Sequence, residues 1–266
     1  MVYAGNGDTR VWWEEQGSGE PVLLAMGHGF DSRMWHRAVA ALAPHYRTIV
    51  FDNRGVGRTE WPGGALGIPD LAADALAVLD AAGVERAHVY GISMGGMTAQ
   101  EIALAAPERV HTLILGCTGS QTDVQRPQFS RLAAFTMRHT PHWARHLMLR
   151  RSLYAPRTDR EAIAEDMRIM RSTSLVGDGL VAQDEAIAMY RNRSRLGDLD
   201  VPTLVLHGDD DRTVPHSWGE ELAQLITGAE FVNLPGARHN YLESVDCLGN
   251  KVVLDFLAAH RMQCAQ

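Results

Sequence analysis

The segment Gly91-Ile92-Ser93-Met94-Gly95 constrains this chain more than any other. It follows a short apolar run, His88–Gly91, and opens a helix-spaced stretch, Met94–Ala106, that stops before Pro107. The backbone must pass from strand to helix within a few residues, so the serine is forced into a strained conformation with its hydroxyl exposed. Glycines at 91 and 95, with Gly96 beside them, let neighbouring backbone approach without Cβ clashes. The helix start sets free N–H groups and the positive end of the helix dipole beside that hydroxyl. The same residues also suit an ordinary glycine-rich turn; the strand–turn–helix setting favours a nucleophile at Ser93.

The pair is one of several. Thr9–Glu14 alternates and predicts an antiparallel strand; Pro21–Met26, Arg47–Phe51 and Val110–Gly116 are short apolar runs that predict buried strands. Ser32–Ala43 and Pro69–Ala82 have helical spacing. Strands alternating with helices predict a parallel sheet covered on both faces. From about Ser120 to Gly197 the rhythm breaks into helix-like sequence rich in Arg, Met and Ala. It returns with a strand at Pro202–His207, a helix near His216–Leu225, a strand at Glu230–Leu234 and a helix at Leu248–His260. The expected organisation is a core of residues 1–119 and 198–266, with residues 120–197 a helical cap over the sheet's C-terminal edge.

Composition excludes several classes. The 266 residues carry a formal charge of −7, so a phosphate backbone repels the chain and nucleic acid is not an expected partner. No run reaches the roughly 18 apolar residues a membrane helix needs. Residues 1–15 lack a signal-peptide pattern, and the three cysteines form neither a disulfide framework nor a CxxC motif. A cytoplasmic location is the expectation, with the oligomeric state left open.

Two further loops carry chemistry-bearing residues. Gly208-Asp209-Asp210-Asp211 follows the Pro202–His207 strand, where a carboxylate lies on the ligand-binding edge of a parallel sheet. Three adjacent aspartates also suit a cation site, but neither a phosphate loop nor an EF-hand spacing accompanies them, so no metal is expected. Gly236-Ala237-Arg238-His239 follows the Glu230–Leu234 strand and offers a histidine that can reach a serine hydroxyl as general base.

Across nearly its whole length the chain resembles the α/β-hydrolase fold superfamily. Phe51 through Arg58 and Gly91 through Ala103 are especially similar to its 3-oxoadipate enol-lactonase and small-ester esterase (polyketide methylesterase) branch. The resemblance implies an α/β-hydrolase fold: a mostly parallel sheet, helices on both faces and a helical cap insertion. It implies a cofactor-free serine hydrolase acting on a small-molecule ester or lactone. The order Ser93, Asp211, His239 is then the superfamily's nucleophile, acid and base order, and Gly-x-x-Asp-x-x-Val-Pro selects Asp211. The oxyanion hole falls to the backbone amides of Phe30, after His28-Gly29, and of Met94.

Arg238 stands where the family usually has glycine, Glu243 comes one position early, and the His28–Trp35 loop is short. Arg238 is a candidate for a substrate carboxylate, against the alternative of an exposed loop arginine. His28, Trp143 and Met148 are further substrate-binding candidates, and Phe129, Phe135 and Met137 suit either an apolar pocket or the cap's own packing. His139, His142 and His146 share a helical face without a carboxylate or cysteine ligand beside them and read as a solvated face. Fold and triad alone do not separate ester hydrolysis from C–C bond hydrolysis, perhydrolysis or lyase chemistry. A non-catalytic binding protein would have no chemical need for the His–Asp pair.

Overall fold

The computed structural model describes residues 2–120, 140, 142–173, 178–244 and 246–262; the side chains of 142, 143, 145 and 146 are outside that set. Eight strands form one sheet: β1 (Val2–Asn6), β2 (Thr9–Gln16), β3 (Pro21–Ala25), β4 (Arg47–Phe51), β5 (Ala87–Ile92), β6 (Val110–Gly116), β7 (Thr203–Gly208) and β8 (Glu230–Leu234). Their order is β1-β2-β4-β3-β5-β6-β7-β8. β1 and β2 run antiparallel to their neighbours, and β4 through β8 pair in parallel. The strands expected from apolar runs are present; β1 is additional, because polar and glycine residues mask its weak alternation.

Among the described residues the α-helices are α1 (His36–Leu42), α2 (Ile68–Ala81), α3 (Met94–Ala105), α4 (His142–Leu153), α5 (Arg160–Ser172), α6 (Gly179–Met189), α7 (His216–Leu225) and α8 (Leu248–Ala259). Ser32–Trp35, expected as the start of a helix, is a separate 3-10 turn before α1. The period-2 alternation of the central strands divides the core. Leu23 and Ala25 of β3 face a layer with Ala75, Leu79 and Ile102 from α2 and α3 and Leu222 from α7. Val22 and Leu24 face the other layer, with Ala38 and Leu42 from α1 and Val253 and Leu257 from α8. Both faces are buried, so the parallel strands read as continuous apolar runs rather than alternating ones.

Between β6 and β7 the described elements are helical. This insertion has its own small core of Leu153, Tyr154, Ile163 and Met167, against which Phe30 packs. Among the described residues no helix is long and apolar enough to cross a membrane.

Candidate active site

Ser93 sits between β5 and α3 at φ 55°, ψ −122°, a conformation that costs a non-glycine residue on the order of 1–3 kcal/mol. The surroundings determine it. The Ser93 amide donates to Gly116 O at 2.9 Å. Its carbonyl accepts the Gly96 amide at 2.9 Å and the Thr118 hydroxyl at 2.8 Å. Gly95 must lack a side chain, since a Cβ there would lie 2.0 Å from Ala25 O. That close approach brings the end of β3 against the turn: a Cβ on Gly27 would stand 3.2 Å from the Ser93 Cβ. The hydroxyl-bearing residue is therefore held by both neighbouring strands, and it keeps partial exposure.

His239 Nδ1 lies 2.8 Å from Asp211 Oδ2. Asp211 Oδ1 accepts the amides of Thr213 at 2.7 Å and Val214 at 3.0 Å, so the carboxylate is oriented by its own loop. Burial alone would raise the Asp211 pKa. Hydrogen bonds from His207 and His239, the His239 charge and the Thr213 amide outweigh it and hold the carboxyl well below the usual carboxylate range. A carboxylate kept ionised on Nδ1 puts the imidazole proton there and leaves Nε2 as the free base. His207, with a fully buried ring, adds a second histidine: its Nε2 is 3.4 Å from the same Asp211 oxygen and 3.1 Å from Val214 O. Asp209 accepts the Gly236 amide at 2.6 Å, and Asp210 pairs with Arg212 and Arg238, so of the three adjacent aspartates Asp211 is the one on the histidine.

Ser93 and His239 are tied to the same point at the end of β6. Gly116 takes the serine amide, and the thiol of the next residue, Cys117, donates to His239 O at 3.2 Å. Strands β5, β7 and β8 thus bring Ser93, Asp211 and His239 to one edge of the sheet, around the tip of β6.

The loop after β3 is fixed from two sides. Asp52 accepts the Ser32 amide and hydroxyl at 2.9 and 2.7 Å, and Asn53 donates to Met26 O at 2.9 Å. From the insertion, Gln183 accepts the Gly29 amide at 2.8 Å and donates to Arg54 O at 2.7 Å. His28 Nε2 lies 3.3 Å from Leu180 O and 3.1 Å from Asp184 Oδ1, which makes His28 a link to α6. Gly55 and Gly179 meet backbone to backbone, where a Cβ on Gly179 would lie 2.2 Å from Gly55 O. Met94 is the first residue of α3, so its amide has no partner four residues back within the helix. Phe30 follows Gly29 and is half-buried between the main core and the insertion.

The remaining candidates separate. Arg238 is 6% exposed, not a surface-loop arginine. Its Nε donates to Asp210 at 2.7 Å and its Nη1 to Arg151 O and Tyr154 O at 2.6 and 3.0 Å, contacts that stitch loops together rather than leave a free fork for a carboxylate. Met148 is 56% exposed on α4, the behaviour of a surface side chain. The Trp143 side chain, Phe129, Phe135, Met137 and the His139, His142 and His146 side chains lie outside the described residues. Sequence reasoning missed His207, Cys117, Gln183 and Asn240, the residue after His239, whose side chain donates to Asp166 at 3.0 Å. Only His207 carried a local signal, as a polar residue ending an apolar strand directly before the acid loop.

Among the described residues, two groups of donor atoms lie close enough to hold a cation. In the first, Cys117, Asp211 and His239 offer donors within 4.8 Å of one another. Burial, with the Asp211 charge beside it, pushes the Cys117 thiol well up, so it stays protonated and a poor ligand. In the second, of His36, Glu165 and Asp166, the Arg37 guanidinium already provides the positive charge, 2.6 Å from Asp166.

A profile for the alpha/beta hydrolase fold matches residues 20–244. RutD of Azorhizobium caulinodans, provisionally named a carbamate hydrolase, is 33% identical over 261 residues, covering 96% of this chain and 98% of its own. Among solved structures, the enol-lactonase of Burkholderia xenovorans LB400 superposes with a TM-score of 0.84 at 29% identity, covering 97% of this chain and 100% of that one. A thermophilic esterase of Thermogutta terrifontis superposes at 0.86 with 26% identity and 98% coverage of both.

Proposed function

Because the chain belongs to the α/β-hydrolase fold family, we propose that it is a serine hydrolase that cleaves a small-molecule carboxylic ester or lactone through an acyl-enzyme. Ser93 is the nucleophile, His239 the general base and Asp211 the residue that orients it. The observation that carries the reading is the 2.8 Å contact of His239 Nδ1 with a carboxylate held ionised, on the same edge of the sheet as a serine on a strained strand-to-helix turn.

The steps follow from the charges. His239 Nε2 takes the Ser93 proton as Oγ attacks the carbonyl carbon, and Asp211 stabilises the imidazolium. The amides of Phe30 and Met94 receive the oxyanion; losing one such donor typically costs about 3–4 kcal/mol of transition-state stabilisation. His239 returns the proton to the departing alkoxide, which leaves as alcohol or, from a lactone, stays tethered to the acyl group. Water, deprotonated by His239, then releases the acid. The insertion, read as a cap over residues 1–119 and 198–266, walls the acyl pocket.

The likeness to RutD favours a second reading, a carbamate substrate, whose carbonyl is attacked by the same machinery. A fluorophosphonate probe is expected to add to Ser93, located by mass, and to leave Ser93→Ala unlabelled. Ser93→Ala is expected to lower kcat on p-nitrophenyl acetate by about 10⁶-fold, and Asp211→Asn by about 10⁴-fold. Labelling elsewhere, or turnover that survives Ser93→Ala, would overturn the assignment. A panel of esters, lactones and carbamates separates the two readings by kcat/KM.

A further inference from the structure

The segment that closes α4 touches every loop that carries the acid–base pair. The Ser152 hydroxyl is 2.6 Å from the Thr213 hydroxyl, two residues beyond Asp211. Arg157 donates to Pro235 O at 2.6 Å, on the loop that leads to His239. The Thr158 hydroxyl donates to Glu243 at 2.5 Å. Closest to the base are the contacts of its two chain neighbours. Arg238 reaches Arg151 O and Tyr154 O. The Asn240 amide donates to Leu153 O at 2.8 Å, and its side chain donates to Asp166 at 3.0 Å.

We infer that this stretch of the insertion, residues 151–166, is a positioning element for the general base, with Arg238 and Asn240 as the positioning residues that transmit it to His239. The inference rests on the proposed role of His239. The physical argument is one of constraint. A histidine gripped on one side can swing with its loop; gripped at the residue before and the residue after, it keeps only its own side-chain torsions. The bond from the Cys117 thiol to the His239 carbonyl removes backbone freedom between them, and Asp211 takes the ring.

Arg238 suits the task better than a neutral residue would. The carbonyls it meets lie at the C-terminal end of α4, where helix carbonyls lack intrahelical partners and the dipole is negative. Its other arm pairs with Asp210, on the acid loop. One buried side chain therefore joins the base loop, the acid loop and the insertion. Asp166, fully buried, anchors the second grip. It accepts Asn240 and the Tyr154 hydroxyl, at 2.9 Å, and is neutralised by Arg37 from α1. The insertion is thus seated on the core through a paired charge and passes that seating to residue 240.

The test separates positioning from the shaping of a pocket. In Arg238→Ala, kcat on p-nitrophenyl acetate is expected to fall roughly 10- to 100-fold while KM changes by less than about threefold, the loss that a displacement near 1 Å brings. The rate at which a small fluorophosphonate labels Ser93 is expected to fall by the same factor, because it depends on the base and little on the pocket. Arg238→Lys, which keeps one cationic donor, is expected to recover most of that rate. Should Arg238→Ala not fold, Asn240→Ala carries the same readouts. A variant that folds with unchanged kcat and labelling rate overturns the inference, as does one that changes KM alone. If the parent protein itself does not label at Ser93, the fault lies with the hydrolase reading and not with the clamp.

Discussion

The thiol of Cys117 donates to the main-chain carbonyl of His239 at 3.2 Å, across 122 residues of chain. Cys117 is fully buried and holds a positive φ of 36°, directly after the residue that accepts the Ser93 amide. Cys117→Ser keeps a donor of similar size and is expected to retain activity within a few-fold. Cys117→Ala loses the bond and leaves a small void, with an expected cost of about 1–2 kcal/mol and a several-fold drop in kcat. Urea midpoints and initial rates on both variants check it.

The Ser93 backbone strain has a measurable release. Ser93→Ala removes the hydroxyl but keeps a Cβ at φ 55°, whereas Ser93→Gly removes the steric penalty. Glycine also gains entropy in the unfolded chain, which offsets part of the release. The glycine variant is expected to be inactive and about 1 kcal/mol more stable than the alanine variant. Equal stabilities would mean that the turn stores no strain.

Gly179 is the point where the insertion meets the core with no side chain between them. Gly179→Ala would drive a methyl to within 2.2 Å of Gly55 O and push the start of α6 outward. Gln183 and Leu180, one turn or less away, hold Gly29 and His28. The expected result is a loss of about 1–3 kcal/mol and a raised KM, with faster hydrogen exchange at residues 179–189.

Acid sensitivity is built in far from the serine. His88 is fully buried, with Nδ1 2.8 Å from the Thr112 hydroxyl. Burial first, and then the positive charges of His111, Arg261, His260 and Arg86, push its pKa down to about 3 from an ordinary 6.5. The fold therefore holds the neutral ring, while the unfolded chain takes up a proton below about 6.5. The contribution is fully present above that value and is lost as pH falls toward 3, by about 1.4 kcal/mol for each unit crossed. Unfolding free energies of the parent and His88→Asn are expected to converge on acidification; parallel curves would refute the assignment.

The residues of the candidate site differ in how far their signals reach along the chain. Ser93 was legible because its strand, turn and helix are contiguous, and Asp211 because it follows a strand at a set spacing. Arg238 was not. Its acceptors are carbonyls 84 and 87 residues away, and no side-chain pattern announces a main-chain acceptor. His28 gave no sign of Asp184 because the two side chains meet across 156 residues of chain, with no local spacing to link them. β1 escaped because an edge strand at a sheet margin needs little apolar sequence, and only Ala4 of its five residues is buried. Most strands and helices were readable from period alone, since a sheet buried on both faces demands apolar runs.

The strand order sets an inequality between the two halves of the proposed reacting pair. Ser93 hangs from β5, flanked on both sides, whereas His239 hangs from β8, which among the described residues pairs with β7 alone and lies at the sheet's margin. Fraying on gentle warming starts at such a margin. The molecule should therefore go silent before it melts: turnover fades while most of the sheet, serine turn included, is still intact, and it returns on cooling.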